Sequence, residues 1–276
     1  MPARLPLLAR LTRRWLGLLV IASLLLLIFF YWASRTESPA LAPGVTKEVR
    51  HLTLAGRSVS VALYHPAKDD NAPLVVVAHG FTRSKRYMAG WGTELAAQGF
   101  LAAVPTQPAL ANHELNARAL AGLVEKLREK RRVALMGYSM GGLTTLLAAT
   151  KTPVDAWVGL DPVDMDGTGK TAAAKLKIPC AVLRAEPEAW NMNGNATGII
   201  AALPGPKFTQ QVRDGTHLDA EWPTDFLGQL ACGFVNSDRQ TLFRHYAIAF
   251  LRSTLMKDAQ AAQVLARASS DTALSQ

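Results

Sequence analysis

Only two cysteines occur in the 276 residues, so at most one disulfide, Cys180 to Cys232, is open to the chain. Cys180 falls in an apolar run expected to be a central strand, where a buried free thiol is the expected state. Neither cysteine has a partner at metal-ligand spacing. The sequence also lacks C-x-x-C, H-E-x-x-H, a P-loop and a G-x-G-x-x-G behind a strand. No metal and no nucleotide cofactor is therefore expected. Internal repeats and low-complexity tracts are missing too. So is any basic cluster interleaved with aromatics, although the net charge is +9. Part of that charge is Arg4, Arg10, Arg13 and Arg14 at the very start, and residues 125–132 form a mixed-charge helix end of the kind that faces solvent. No nucleic-acid partner is expected.

Charge is absent altogether from residues 15–33, nineteen in a row. That length suits a hydrocarbon core of ~30 Å. Trp15, Tyr31 and Trp32 sit at its ends, as interfacial aromatics do, and the arginines before it mark the cytoplasmic side. Residues 1–14 thus read as a basic cytoplasmic N-terminus and 15–33 as a transmembrane signal anchor. Residues 34–46, with Pro39, Pro43 and Gly44, form a tether. The main domain, 47–255, is then placed on the non-cytoplasmic side, periplasmic or extracellular, with 256–276 as a C-terminal tail. A cleaved signal peptide is the rival reading, because residues 38–40 and 40–42 resemble small-residue cleavage sites. Its apolar region is usually only ~7–15 residues long.

With 49% hydrophobic residues, the chain can bury one substantial core. Residues 49–54 and 59–64 read as a hairpin over Ala55-Gly56, then 74–78 and 100–104 as strands. Residues 91–98 and 114–131 read as helices between them. Alternating strand and helix signals predict an α/β fold with a mostly parallel central sheet flanked by helices. Residues 191–198, rich in Asn and Gly, read as a mobile loop beside the site.

The chemistry is concentrated in Gly137-Tyr138-Ser139-Met140-Gly141-Gly142. This G-x-S-x-G run follows the apolar residues 133–136 and precedes the helix-prone residues 143–150, the strand-turn-helix setting of a nucleophile elbow. A serine hydroxyl is a weak nucleophile, so it must be lifted clear of the chain beside a base and an anion site. Upstream, the apolar run 73–78 ends in His79-Gly80-Phe81-Thr82, where the second oxyanion donor belongs. The main-chain N–H groups of Phe81 and Met140 are the candidate donors, and His79 reads as a structural histidine that orders the loop. Of six histidines, His217 follows the strand-like residues 207–212 and an Asp214-Gly215 turn, the place of a general base. His51 and His65 sit in early strands, and His245 in a helix. The acid is either Asp161, at the end of the strand 156–160, or Asp164 nearby, or Glu186 or Glu188 after the next strand.

Three runs together, Gly137 to Gly142, Gly159-Leu160-Asp161-Pro162-Val163-Asp164 and Gly215-Thr216-His217-Leu218-Asp219, resemble the chlorophyllase and platelet-activating-factor acetylhydrolase branch of the α/β-hydrolases. The similarity extends over roughly residues 45 to 255. It implies an α/β-hydrolase fold and a triad of Ser139, Asp161 and His217. Thr216 and Met140 depart from the branch, which usually has glycine before the histidine and, in chlorophyllases, arginine after the nucleophile. The expected function is a membrane-anchored serine hydrolase that cleaves carboxylic esters through an acyl-enzyme. Its partners are a small hydrophobic ester and, through the N-terminal helix, a membrane. Trp91, Trp157, Trp190, Met192 and Phe226 are the candidates for an apolar pocket. The alternatives are a non-catalytic binding protein on the same fold, or an acyltransferase or thioesterase with the same triad.

Overall fold

The computed structural model of the protein describes residues 7–68 and 71–275. Of the basic N-terminus expected over residues 1–14, residues 1–6, Arg4 among them, lie outside the described residues. Helix α1 (Leu7–Ala33) carries the apolar stretch. The large apolar side chains described between Trp15 and Trp32 are all exposed. Among the described residues no helix is long and apolar enough to cross a membrane. The fold therefore does not show the transmembrane helix expected at 15–33.

The hairpin is β1 (Thr46–Leu54) and β2 (Arg57–His65), turned by Ala55 and Gly56, both at positive φ. Two positive φ values in a two-residue loop match the twist of the strands they join. Then follow β3 (Leu74–Ala78), α2 (Ala89–Ala97), β4 (Leu101–Pro105), α3 (His113–Leu127), β5 (Val133–Tyr138) and α4 (Met140–Ala149). The second half runs β6 (Ala156–Leu160), α5 (Thr168–Ala173), β7 (Cys180–Arg184), α6 (Ala196–Ala202) and β8 (Lys207–Val212). It ends with α7 (Phe226–Cys232), α8 (Ser237–Leu251), α9 (Ala259–Arg267) and β9 (Leu274–Ser275).

The sheet order is β1-β2-β4-β3-β5-β6-β7-β8-β9. Strands β4, β3, β5, β6, β7 and β8 are parallel, and the edge strands pair antiparallel. Both faces are covered. Val75 and Val77 of β3 pack with Trp91, Leu95 and Phe250, while Leu74 and Val76 pack with Leu120, Leu123 and Leu146 on the other side. A strand buried on both faces must be apolar at every position, which is why β3 reads as an unbroken run rather than an alternation.

Three differences from the sequence reading have local causes. The helix expected to reach residue 131 stops at Leu127, and Glu129 at φ 46 turns the chain into β5. The expected loop 191–198 is half ordered: Asn191 closes a 3-10 turn and Ala196 opens α6. Residues 256–275, expected as a tail, add α9 and an edge strand whose Leu274 pairs with Val212. The order reverses between β3 and β5, with β4 on the far side of β3. Such a switch point opens a crevice at the strand carboxyl ends, and Phe81 and Ser139 both lie there.

Candidate active site

Ser139 follows β5 directly and stands at φ 55, ψ −124. A side chain rarely adopts this backbone, which costs roughly 1–3 kcal/mol and persists only where the surroundings impose it. Tight packing imposes it here. A Cβ on Gly137 would run into the carbonyl of Gly141, and one on Gly141 into the carbonyls of Ala78 and His79. Glycine at both positions lets α4 start hard against β3 and β5. The nucleophile candidate is thereby raised above the sheet at the first turn of α4.

The three sequence-predicted side chains converge. Ser139 Oγ lies 2.9 Å from His217 Nε2, and His217 Nδ1 lies 2.6 Å from Asp161 Oδ2. All three are buried. An imidazole that donates Nδ1–H to a carboxylate keeps Nε2 as an acceptor, so the serine O–H donates to it. The ring rests on Tyr138, with centroids 4.9 Å apart. Asp161, itself at φ 41, is 1% exposed and accepts from the Ala185 N–H at 3.0 Å and from Asn191 Nδ2 at 3.1 Å.

The other acid candidates are engaged elsewhere. Asp164 accepts from the N–H groups of Gly169 and Lys170 at the start of α5. Glu186 accepts from Gln211 Nε2. Glu188 accepts from the main-chain N–H of His217 at 2.5 Å, so it holds the loop of His217 rather than its ring. Thr216 caps the same loop, its hydroxyl donating to Asp219 Oδ2 at 3.0 Å.

The N–H groups of Phe81 and Met140 have no acceptor among the described residues. Met140 opens α4, where an N–H has no partner within the helix. Phe81 N–H belongs to the peptide whose carbonyl, Gly80 O, accepts from His79 Nδ1 at 2.8 Å. The other ring nitrogen, Nε2, accepts from Gln107 N–H at 3.0 Å. His79 therefore fixes the plane of the peptide that presents Phe81 N–H. Burial drives its pKa down to about 4, against the weaker pull of Gly80 O.

Beside Ser139 lies a cavity of ≈ 700 Å³, lined by apolar groups such as Val163, Met165, Trp190, Met192, Leu218 and Leu227. Of the five pocket candidates, Trp190 and Met192 line it. Trp91 and Trp157 are core residues at 1% and 0% exposure, and Phe226 packs on Trp32 of α1 at 6.3 Å between centroids. Cys232 also lines the cavity, and both cysteines are free thiols. Burial pushes Cys180 up to about 12 and Cys232 to about 11. Among the described residues no cluster of His, Cys, Asp and Glu could hold a metal ion.

Sequence reading missed Asn191 and the ion cluster under the cavity wall. Arg83 Nε lies 2.9 Å from Glu221 Oε2 and Arg83 Nη1 lies 3.0 Å from Asp225 Oδ2. The guanidinium stacks on Tyr87, whose hydroxyl donates to Asp225 at 2.5 Å. One cation so ties the loop after β3 to the loop of His217 and to the start of α7. Burial raises Glu221 to about 8, with Arg83 opposing and Asp225 reinforcing the rise. The only signal in the sequence was Asp225 as a helix cap.

The sequence profile of the alpha/beta hydrolase family matches residues 75–273, from β3 through the last loop before β9. The bis(hydroxyethyl) terephthalate hydrolase of Streptomyces coelicolor is 32% identical over 117 residues, 38% of this chain and 38% of that protein. The match thus spans well under half the length of that relative. The profile match covers most of the chain, and with the sheet order and the elbow at the switch point it identifies this protein as a member of the alpha/beta hydrolase family.

Proposed function

We propose that the protein is a serine hydrolase of carboxylic esters. Ser139 Oγ attacks the acyl carbonyl while His217 Nε2 takes its proton, and Asp161 holds the ring and stabilises the imidazolium. Phe81 and Met140 N–H groups receive the oxyanion. His217 returns the proton to the departing alcohol, and a water then releases the acyl group by the same steps. The observation that carries this reading is the continuous hydrogen-bonded line from Ser139 to Asp161, at 2.9 and 2.6 Å, beside two N–H groups with no acceptor among the described residues. The likeness to a bis(hydroxyethyl) terephthalate hydrolase supports an ester as substrate, and the apolar lining of the main cavity favours a hydrophobic one. The resemblance of the sequence runs around Ser139, Asp161 and His217 supports, as part of this proposal, the chlorophyllase and platelet-activating-factor acetylhydrolase branch.

The same proposal anchors the chain in a membrane by α1, with the domain on the non-cytoplasmic side. Support comes from the exposed apolar side chains of α1 and from the seating of its end on the domain. Ala33 is buried and Trp32 contacts Phe226 of α7. Labelling of membrane and soluble fractions with a fluorophosphonate tests both parts. Wild type should label in the membrane fraction, and Ser139→Ala and His217→Ala should not label. A folded wild type that does not react overturns the esterase reading, and labelling only in the soluble fraction overturns the anchor.

A further inference from the structure

Helix α7 divides its residues between two neighbours. Leu227, Gly228, Ala231 and Cys232 line the main cavity beside Ser139. Phe226 and Leu230, one turn apart, stay outside that lining and are exposed. Phe234, just past the helix, is exposed too. So is Trp190 at the cavity wall, whose Nε1–H donates to Ala231 O at 2.8 Å. Leu230 and Phe234 are 63% and 62% exposed, yet residues 226–235 hold no charge at all. An uncharged apolar rim of this kind marks an interaction surface.

Helix α1 points to what covers it. Trp32 packs on Phe226 with 6.3 Å between ring centroids. The chain leaves α1 without slack: Ala33 and Val45 are buried, and between them Ala42 N–H donates to Thr93 Oγ1 at 3.1 Å. The end of α1 is thereby fixed beside α7. That end carries Tyr31, Trp32 and Arg35, with the Arg35 guanidinium 5.7 Å from the Tyr31 ring centroid. These are the residue types that mark a lipid headgroup zone. Contact between Trp32 and Phe226 puts α7 at the same depth. A bilayer that takes up the exposed apolar side chains of α1 meets α7 next. A lipid surface needs no charged counterpart, and residues 226–235 offer none.

We infer that α7, Phe234 and Trp190 form a lipid-contact surface, so that the main cavity opens on the bilayer and takes its ester from there. The inference rests on the ester-hydrolase and anchor readings above. One helix is both the wall of the cavity and its lipid face, so an ester dissolved in lipid reaches Ser139 past Trp190 and Leu227 without crossing water. The substrate class is then an ester that partitions into lipid rather than one free in solution.

The test uses the full chain in phosphatidylcholine vesicles, as wild type and as the double variant Leu230→Glu, Phe234→Glu. Neither residue lines the cavity and both are exposed, so the variant should melt with wild type and hydrolyse water-soluble p-nitrophenyl butyrate at the same kcat/KM. On p-nitrophenyl palmitate carried in the vesicles its kcat/KM should fall by ~10-fold or more, because two carboxylates replace two apolar side chains at the lipid surface. The milder Leu230→Ser, Phe234→Ser should move the ratio of the two esters the same way by less. An unchanged ratio in both variants, with wild type floating on the vesicles, overturns the lipid-contact surface alone. Cross-linking of wild-type chains that persists at high lipid excess and is lost in the variants assigns the face to a second copy, and overturns it too. The underlying readings fail differently, and either failure takes this inference with it: without the anchor, wild type does not float, and without the esterase, even the butyrate stays intact.

Discussion

Removing the Asn191 side chain should injure stability and turnover together. The residue is 1% exposed and makes four hydrogen bonds. Nδ2 donates to Asp161 Oδ2 at 3.1 Å and to Glu186 O at 2.7 Å, and Oδ1 accepts from the N–H groups of Glu188 at 2.8 Å and Gly194 at 2.9 Å. A charge-assisted bond is worth about 1.5–3 kcal/mol and each neutral partner left dry about 1–3 kcal/mol. Some partners will rehydrate, so Asn191→Ala should cost about 3–5 kcal/mol, a large part of a typical total of ~5–15 kcal/mol. Turnover should fall as well, because Asp161 loses one of the three donors that set its orientation and Glu188 loses its grip on His217 N–H. Asn191→Asp keeps the volume but places a second carboxyl against Asp161, so it should depress kcat more than KM. Urea unfolding and ester hydrolysis on the same preparations give both quantities. An Asn191→Ala protein within about 1 kcal/mol of wild type, with unchanged kcat, would refute the claim that this residue holds the acid.

Four further outcomes follow from the same structure. His79 stays neutral in the folded chain down to a pKa of about 4, from an ordinary 6.5. The unfolded chain therefore binds the extra proton first, and stability is lost as pH falls from about 6.5 towards 4, by up to about 3 kcal/mol; His79→Gln should flatten that limb in pH-dependent melting. Glu221 works with the opposite sign: its pKa is raised from 4.5 to about 8, so the folded state holds the proton and stability falls as pH rises through that window, a slope that Glu221→Gln should remove. Gly141→Ala should destabilise by at least about 1–3 kcal/mol and cut kcat, since the new Cβ meets two carbonyls and displaces Met140 N–H. Gly198→Ala, in α6 with nothing near its added Cβ, should instead stabilise by about 0.5–1 kcal/mol, and equal effects of the two would show that the close approach at Gly141 is not what requires glycine.

What could be read in advance was local, and what could not was a meeting of distant segments. Ser139 announces itself because one short peptide carries the strand, the turn, the glycines and the helix start. His217 and Asp161 are legible from strand ends, since a parallel sheet delivers its loops to one edge. The acid stayed ambiguous among Asp161, Asp164, Glu186 and Glu188 because all four stand after neighbouring strands. Only packing settles which one reaches Nδ1: Asp161 does so at 2.6 Å, while Glu188 turns to the main-chain N–H of His217. Asn191 shows the limit most clearly. Its neighbours Asn193, Gly194 and Asn195 have the composition of a flexible loop, yet its amide is pinned by groups from the loop after β6, from the loop after β7 and from its own turn. The same holds for Arg83, whose two acidic partners lie 138 and 142 residues downstream. Composition scores a segment by what its residues prefer alone. The site depends on what they meet, and here the residues that hold the proposed triad in place are polar groups whose sequence neighbours say nothing of their partners.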